Sequence, residues 1–242
     1  MVTFVLPPGT GPAECLAWDE ALLDLVEDEV CEAALWFWEA PSHCVVVGYG
    51  QTPAREVRIE ACRADGVPVL RRCSGGGTVL QGPGCLSYAL ALPIDAHPEL
   101  ATVSGTNAHV MGCQRDALAR VVPGSLAVCG HTDLVWEGRK VSGNAQRRRR
   151  RALLFHGTFL HGMDLDLVTR WLLPPSSEPA YRAGRDHEAF VANLPCPPDV
   201  LREVLAGAWK ATPAPVPEDA GRRVERLMSG RYGRAEWHDR RA

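Results

Sequence analysis

Lys140 is one of only two lysines in a chain that otherwise draws its cations from arginine, and it stands in the polar string running from Glu137 to Gln146. An ammonium on a flexible stem is a point charge that can follow a negative charge as it moves, whereas a guanidinium is a fork of fixed shape. At this position a lysine points to electrostatic catalysis on an anionic acyl or phosphoryl group, and removing such a group typically raises a barrier by about 3 kcal/mol. Ser142, Gly143, Asn144, Ala145 and Gln146 follow it, and their small side chains leave room for a ligand against the backbone. Asp133, on the other arm of a proposed hairpin, could hold either the lysine or a magnesium ion. Upstream, Arg71, Arg72, Cys73 and Ser74 lead into Gly75, Gly76 and Gly77. Three glycines in a row remove every β-carbon, so backbone N–H groups can approach a phosphate or a bulky ligand closely. Paired arginines beside them add donors for phosphate or carboxylate oxygens. Neither a P-loop nor a dinucleotide fingerprint is present. The plainer alternatives are an exposed strand lysine and a glycine corner between solvated arginines.

These groups need a frame. Apolar spacing predicts a helix over 14–32 with acidic residues on its outer face, strands over 34–39 and 44–48, and a helix over 55–65 stopped by Gly66. Strands follow at 67–72 and 86–92, then a helix over 106–120. A hairpin places 133–136 against the segment from Lys140, turning at Glu137-Gly138, and a strand covers 153–162. Helices are expected over 166–173, within 195–209 and over 222–230, with 211–218 a proline-rich linker. Strands and helices mingle without a βαβ rhythm, which favours an α+β fold with much antiparallel pairing.

A chain of 242 residues, 46% hydrophobic and carrying a net charge of −3, fits one domain and excludes a polycation. The apolar start ends at Pro7 and Pro8 with no basic leader, so a cytoplasmic protein without a membrane span is expected. Nine cysteines, an odd number with no C-x-x-C pair, read as reduced core residues rather than disulfides or a zinc ribbon.

The strings from Arg71 to Val79, from His131 to Val135, from Glu137 to Gln146 and from His156 to Leu160 resemble, in order and spacing, the lipoate–protein ligase family. Fainter likenesses at Leu16–Leu22, Val45–Gln51, Tyr181–His187 and Tyr232–Trp237 extend the match over most of the chain. The resemblance implies a catalytic domain like those of biotin ligases and class II aminoacyl-tRNA synthetases, with a mixed, largely antiparallel sheet flanked by helices. It implies that lipoate and ATP, with magnesium, give lipoyl-adenylate, and that the acyl group passes to a lysine of a lipoyl-domain or H-protein-like carrier. In that frame Lys140 bridges the acyl carbonyl and phosphate, and Arg72 contacts the phosphate or carboxylate. Ser74 and Gly75, Gly76 and Gly77 pack on acyl chain and nucleotide, Asp133 sits near adenosine or its metal, and Ser142, Gly143 and Ala145 line the acyl pocket with His156 and Gly157 beside them.

Three features depart from the family pattern. Gln81, Gly82 and Cys85 stand where the ligases usually have His-Asp and an Asn, which alters part of the nucleotide pocket. No room is expected for the small accessory domain many ligases carry, so a separate chain would supply it. Arg147 to Arg151 form a run read either as a solvated loop or as a docking patch for an acidic carrier; nucleic acid is not an expected partner. The competing functions are a transferase using Cys129 or Cys85 as nucleophile, a biotin ligase, and a non-catalytic binder of lipoyl-adenylate or carrier.

Overall fold

The computed structural model describes residues 1–4 and 10–240; Pro7 and Pro8 lie outside them. In chain order, β1 (Val2–Phe4), α1 (Pro12–Glu27), β2 (Ala34–Trp38) and β3 (Cys44–Val47) precede two short helices, α2 (Pro53–Glu56) and α3 (Ile59–Ala64). Then come β4 (Val69–Arg71), β5 (Val79–Gln81) and the long β6 (Cys85–Pro93). Two 3-10 turns, Ile94–Ala96 and Pro98–Ala101, lead into α4 (Val103–Leu118), β7 (Leu126–Cys129), β8 (Asp133–Trp136), β9 (Arg139–Arg148) and β10 (Ala152–Leu160). The C-terminal part is α5 (Asp166–Trp171), α6 (His187–Phe190), α7 (Pro198–Ala208), β11 (Thr212–Pro213), α8 (Glu218–Leu227) and α9 (Ala235–His238).

Side-chain alternation along β6 sets the layers, because successive residues of a strand face opposite sides of the sheet. Ala89 and Ala91 turn to one core with α1 and α8, and their small size lets α1 lie close. Tyr88, Leu90 and Leu92 turn to a second core with α4 and α7. The sheet runs β11-β1-β2-β6-β10-β9-β8-β7, with β1 parallel to both its neighbours and the other pairs antiparallel. A separate three-stranded sheet, β4-β3-β5, packs with α3 and α5 around a third core. The fold is therefore α+β, a large and mostly antiparallel sheet covered by helices on both faces.

Several boundaries differ from the sequence reading for local reasons. The first helix stops at Glu27, where Asp28 caps it and Glu29 takes φ +59°, so Val30 stays half exposed. Its acidic residues are not all outward, since Asp19 and Glu20 are buried. The helix read over 55–65 breaks in two at Val57, whose extended backbone bridges Leu172. Strands at Val79–Gln81 and Leu126–Cys129 are additions. The linker 211–218 contains a strand that pairs with β1 at the sheet's edge. The last helix starts earlier, at Glu218, and runs into a π-turn at Met228–Tyr232.

The arginine run is solvated only at its hairpin tip, where Arg150 and Arg151 are exposed. Arg147 and Arg148 belong to β9, and Arg147 lies over the Tyr49 ring. Arg148 donates to the carbonyl of Leu100 at 2.7 Å and to Thr106 Oγ1 at 3.1 Å. Arg149 reaches α1, pairing with Glu20 at 3.2 Å and Asp24 at 3.1 Å, and Arg151 pairs with Glu29 at 2.9 Å. Glu20 is buried and also takes the Tyr232 hydroxyl at 2.8 Å and the Arg231 guanidinium. Charged hydrogen bonds to such a group are each worth about 2 kcal/mol. Arg149→Ala should lower unfolding stability in urea by about that much, whereas Arg150→Ala, at an exposed position, should leave it within about 0.5 kcal/mol.

Candidate functional site

Lys140 and Asp133 face each other across the β8–β9 hairpin, whose turn is made by Glu137 and Gly138 at φ +48° and +77°. The pairing slips between Leu134 and Val135, so that Leu134 opposes Ser142 while Val135 opposes Lys140. This bulge puts one extra residue of β9, Val141, into the core and re-aims its neighbours. Lys140 Nζ lies 2.8 Å from Asp133 Oδ1. Between them the floor is Gly143, where a β-carbon would fall 2.9 Å from the lysine ammonium. The second oxygen of Asp133 accepts the Tyr181 hydroxyl at 2.6 Å. Burial and that carboxylate push the Tyr181 phenol far up, so it stays a donor.

These groups open on a cavity of about 430 Å³ between the two sheets. Arg72, Gly76, Gly77, Asp133, Lys140, Ser142, Gly143, Ala145, His156 and Gly157 line it, together with apolar Leu16, Trp38, Val79, Leu80, Met163, Val168 and Leu172. Ser74, Gly75 and Cys85 do not reach its wall.

The glycine loop is held by arginine, not solvated by it. Arg72 is buried and donates from Nη2 to the carbonyls of Gly75 and Gly77, both at 2.7 Å, and from Nε to Ser74 Oγ at 3.1 Å. Burial lowers its pKa to about 10, still a full cation at neutral pH. Gly76 takes φ +86°, and a β-carbon there would strike the Arg72 guanidinium at 2.9 Å. Arg71 turns away from the cavity to the C-terminal segment, donating to the carbonyls of Gly48, Gln51 and His238 at 2.8–3.0 Å.

Behind the loop runs a buried relay that the spacing of motifs did not reveal. Ser74 Oγ meets His156 Nε2 at 2.5 Å, and His156 Nδ1 meets Asp19 Oδ2 at 2.7 Å. The other oxygen of Asp19 accepts the indole N–H groups of Trp36 and Trp38 at 2.9 and 3.0 Å. An ionised carboxylate can only accept, so Nδ1 donates to Asp19, and in the neutral ring Nε2 then accepts the serine hydroxyl. Asn144 is a second such hub. Its Oδ1 accepts the Tyr88 hydroxyl at 2.6 Å, and its Nδ2 donates to the Thr132 carbonyl at 2.7 Å and to Ser142 Oγ at 3.1 Å. In the sequence Asp19 stands between Trp18 and Glu20 within the Leu16–Leu22 string that resembles the family, but the helical spacing counts it among the acidic residues of the outer face.

The two cysteines weighed as nucleophiles are outside the cavity lining. Cys85 is buried, its thiol pointed at the Leu80 carbonyl and pushed up to about 12 by burial. Cys129 is half-buried at the Cα position opposite Asp133 in the β7–β8 pair. Among the described residues no cysteine lines the cavity. The magnesium role considered for Asp133 meets a carboxylate whose two oxygens already face Lys140 and Tyr181. No trio of imidazole and carboxylate groups converges on the cavity among the described residues. The wall thus does not fit a resident magnesium cage, which needs several oxygen ligands.

The lipoyl protein ligase A/B catalytic-domain model matches residues 11–199. An octanoyltransferase LipM of Brevibacillus brevis is 27% identical over 274 residues, with 98% of each chain covered. Among solved structures, a bi-partite lipoate protein ligase from Thermoplasma acidophilum, described with its E2 lipoyl domain, superposes with a TM-score of 0.82 at 20% identity, covering 100% of this chain and 96% of that one. A lipoate-protein ligase A bound with ATP gives 0.79 at 20% identity over 100% and 99% of the two chains. These likenesses agree with the α+β architecture described above.

Gly157, beside the relay histidine, leaves space that Asn144 fills: a β-carbon there would lie 1.9 Å from Asn144 Oδ1. Gly157→Ala should therefore expel Asn144 from its hub and lower stability by about 1–3 kcal/mol, read from urea unfolding. An unchanged midpoint would show that Asn144 moves freely.

Proposed function

Since this chain belongs to the lipoyl protein ligase A/B catalytic-domain family, whose members here include ligases and octanoyltransferases, we propose that it is an ATP-dependent lipoate–protein ligase. The observation that carries this reading is the cavity itself: a lysine and a side-chain-free ledge face each other over apolar walls, with no cysteine in the lining among the described residues. An acyl transfer through a cysteine needs a thiolate in reach of the acyl carbon. Activation by ATP needs instead a cation at the carboxylate and phosphate.

In the first step a lipoate carboxylate oxygen attacks the α-phosphorus of ATP, and the bond to the bridging oxygen breaks to release pyrophosphate. Lys140 takes the charge shared by carboxylate and phosphate, leaving Asp133 to the Tyr181 hydroxyl as it turns toward the substrate; the lysine's 2.8 Å pairing with Asp133 at the cavity wall supports this role. Backbone of Gly76 and Gly77 can lie against the phosphate because no β-carbon intervenes. The apolar wall formed by Leu16, Val79, Leu80 and Met163 takes the acyl chain. Magnesium would come with the phosphates of ATP, which commonly provide its ligands at nucleotide sites. In the second step the neutral ε-amine of a carrier lysine attacks the acyl carbon, AMP leaves with the mixed-anhydride oxygen, the amine loses one proton to solvent, and an amide remains. Lys140 again faces the oxygen that gains charge, so its contribution belongs to both transition states. The acceptor is a lipoyl-domain or H-protein-like carrier, and any accessory function would come from a separate chain.

A second reading, a cysteine-dependent octanoyl or lipoyl transferase, is favoured by two observations: Cys129 sits opposite Asp133 in the β7–β8 pair, and the LipM relative matches along almost its whole length. The two readings separate cleanly. Purified chain incubated with lipoate, ATP and magnesium should release pyrophosphate, and added carrier domain should gain the mass of a lipoyl group. Lys140→Ala should reduce both by about 10²–10³-fold, while Cys129→Ser leaves both intact. Carrier-to-carrier transfer without ATP, abolished in Cys129→Ser, would overturn the ligase reading.

A further inference from the structure

Far from the lysine, three side chains of metal-ligating type converge where the 3-10 turn Pro98–Ala101 meets α4. The ligating atoms of His97, Glu99 and His109 all lie within 4.8 Å of one another. His109 Nδ1 is 2.6 Å and His97 Nδ1 3.7 Å from the same oxygen, Glu99 Oε2. The two imidazole rings stack with centroids 4.4 Å apart and planes 30° from parallel. None of these residues lines the cavity.

We propose that His97, Glu99 and His109 form a surface site for a divalent transition metal of the zinc type. Four ligands around zinc at about 2.05 Å stand roughly 3.3 Å from one another, and the two separations given above bracket that spacing. Two neutral imidazoles and one carboxylate make a three-ligand set with an open fourth position, a donor set suited to zinc, nickel or copper rather than to magnesium or calcium. His97 is already fixed as the cap of the 3-10 turn, its Nδ1 accepting the backbone N–H of Glu99 at 3.3 Å. That hydrogen bond is long and would be exchanged for the metal bond. His109 comes from the second turn of α4, packed by Trp209 at 6.1 Å, so one ion would clip the turn to the helix. The same helix start receives Gln146 and Arg148 of β9, which donate to Val103 O and Leu100 O at 3.1 and 2.7 Å. The clip would therefore brace the strand that carries Lys140.

The test uses metal-stripped full chain and zinc chloride, read by calorimetry and by metal content after desalting. One equivalent should be retained. His97→Ala, His109→Ala and Glu99→Gln should each weaken retention by more than the roughly tenfold typical of losing an outer partner of a ligand, while Cys129→Ser retains the metal. Cobalt(II) substituted into the site should show a spectrum of nitrogen and oxygen ligation without a thiolate charge-transfer band. Equal retention in the three variants, or a thiolate band, would overturn the proposal.

Discussion

The site depends on one contact between opposite charges held over a missing side chain. Lys140 and Asp133 meet at 2.8 Å only because Gly143 leaves the ground beneath them bare and because a bulge in β9 turns Lys140 to the same side as Gly143, three residues on. In a regular strand two residues three apart face opposite ways. Remove the bulge and the lysine enters the core behind the sheet; add a methyl at Gly143 and the ammonium has no place to lie. The pair also explains why a chain rich in arginine keeps a lysine here. A guanidinium would lock on Asp133 in a fork, whereas an ammonium can leave one carboxylate for another anion.

The opposite wall is built on the same absence. A β-carbon at Gly48 would fall 2.1 Å from the carbonyl oxygen of Gly76, so the end of β3 and the glycine loop touch backbone to backbone. Gly76 in turn approaches the side chain of Ala145 on β9. The small sheet, the loop and the large sheet therefore meet at positions where side chains are missing or are single methyl groups. Arg72 then fixes the loop by donating to its carbonyls, which commits those oxygens and leaves the loop's N–H groups as the polar face available to a ligand.

Much of this was legible as residue type and spacing. Lysine among small residues, three glycines after arginine, and a Glu137-Gly138 hairpin turn each follow from stereochemistry that acts within a few positions. The mixed, largely antiparallel sheet was readable from the scatter of short strands. What lay beyond reach depends on residues far apart in sequence. The break at Val57 is set by a bridge to Leu172, the burial of Asp19 by Trp36, Trp38 and His156, and the bulge by pairing with β8. The arginines were misjudged for the same reason: a run of like charges looks solvated until the acidic residues of α1 are brought across from 125 or more positions away.

The direction in which those arginines point carries a further consequence for the site. Glu20 and Asp19 are adjacent on α1, yet Glu20 is satisfied by Arg149, Arg231 and Tyr232, and Asp19 by His156 and two indoles. One helix thus takes its cations from the β9–β10 hairpin and from the C-terminal segment at Glu20, while its Asp19, which lines the cavity, is met by imidazole and indole N–H donors. Had an arginine met Asp19 instead, the acyl wall would hold a full ion pair beside Leu16 and Trp38, and an apolar chain could not be seated there without desolvating it. Keeping the guanidinium groups of Arg149 and Arg231 behind the helix leaves Asp19, which lines that end of the cavity, held by hydrogen bonds from His156 and two indoles. On the proposed reading, the mobile cation is Lys140 at the other end, beside Asp133.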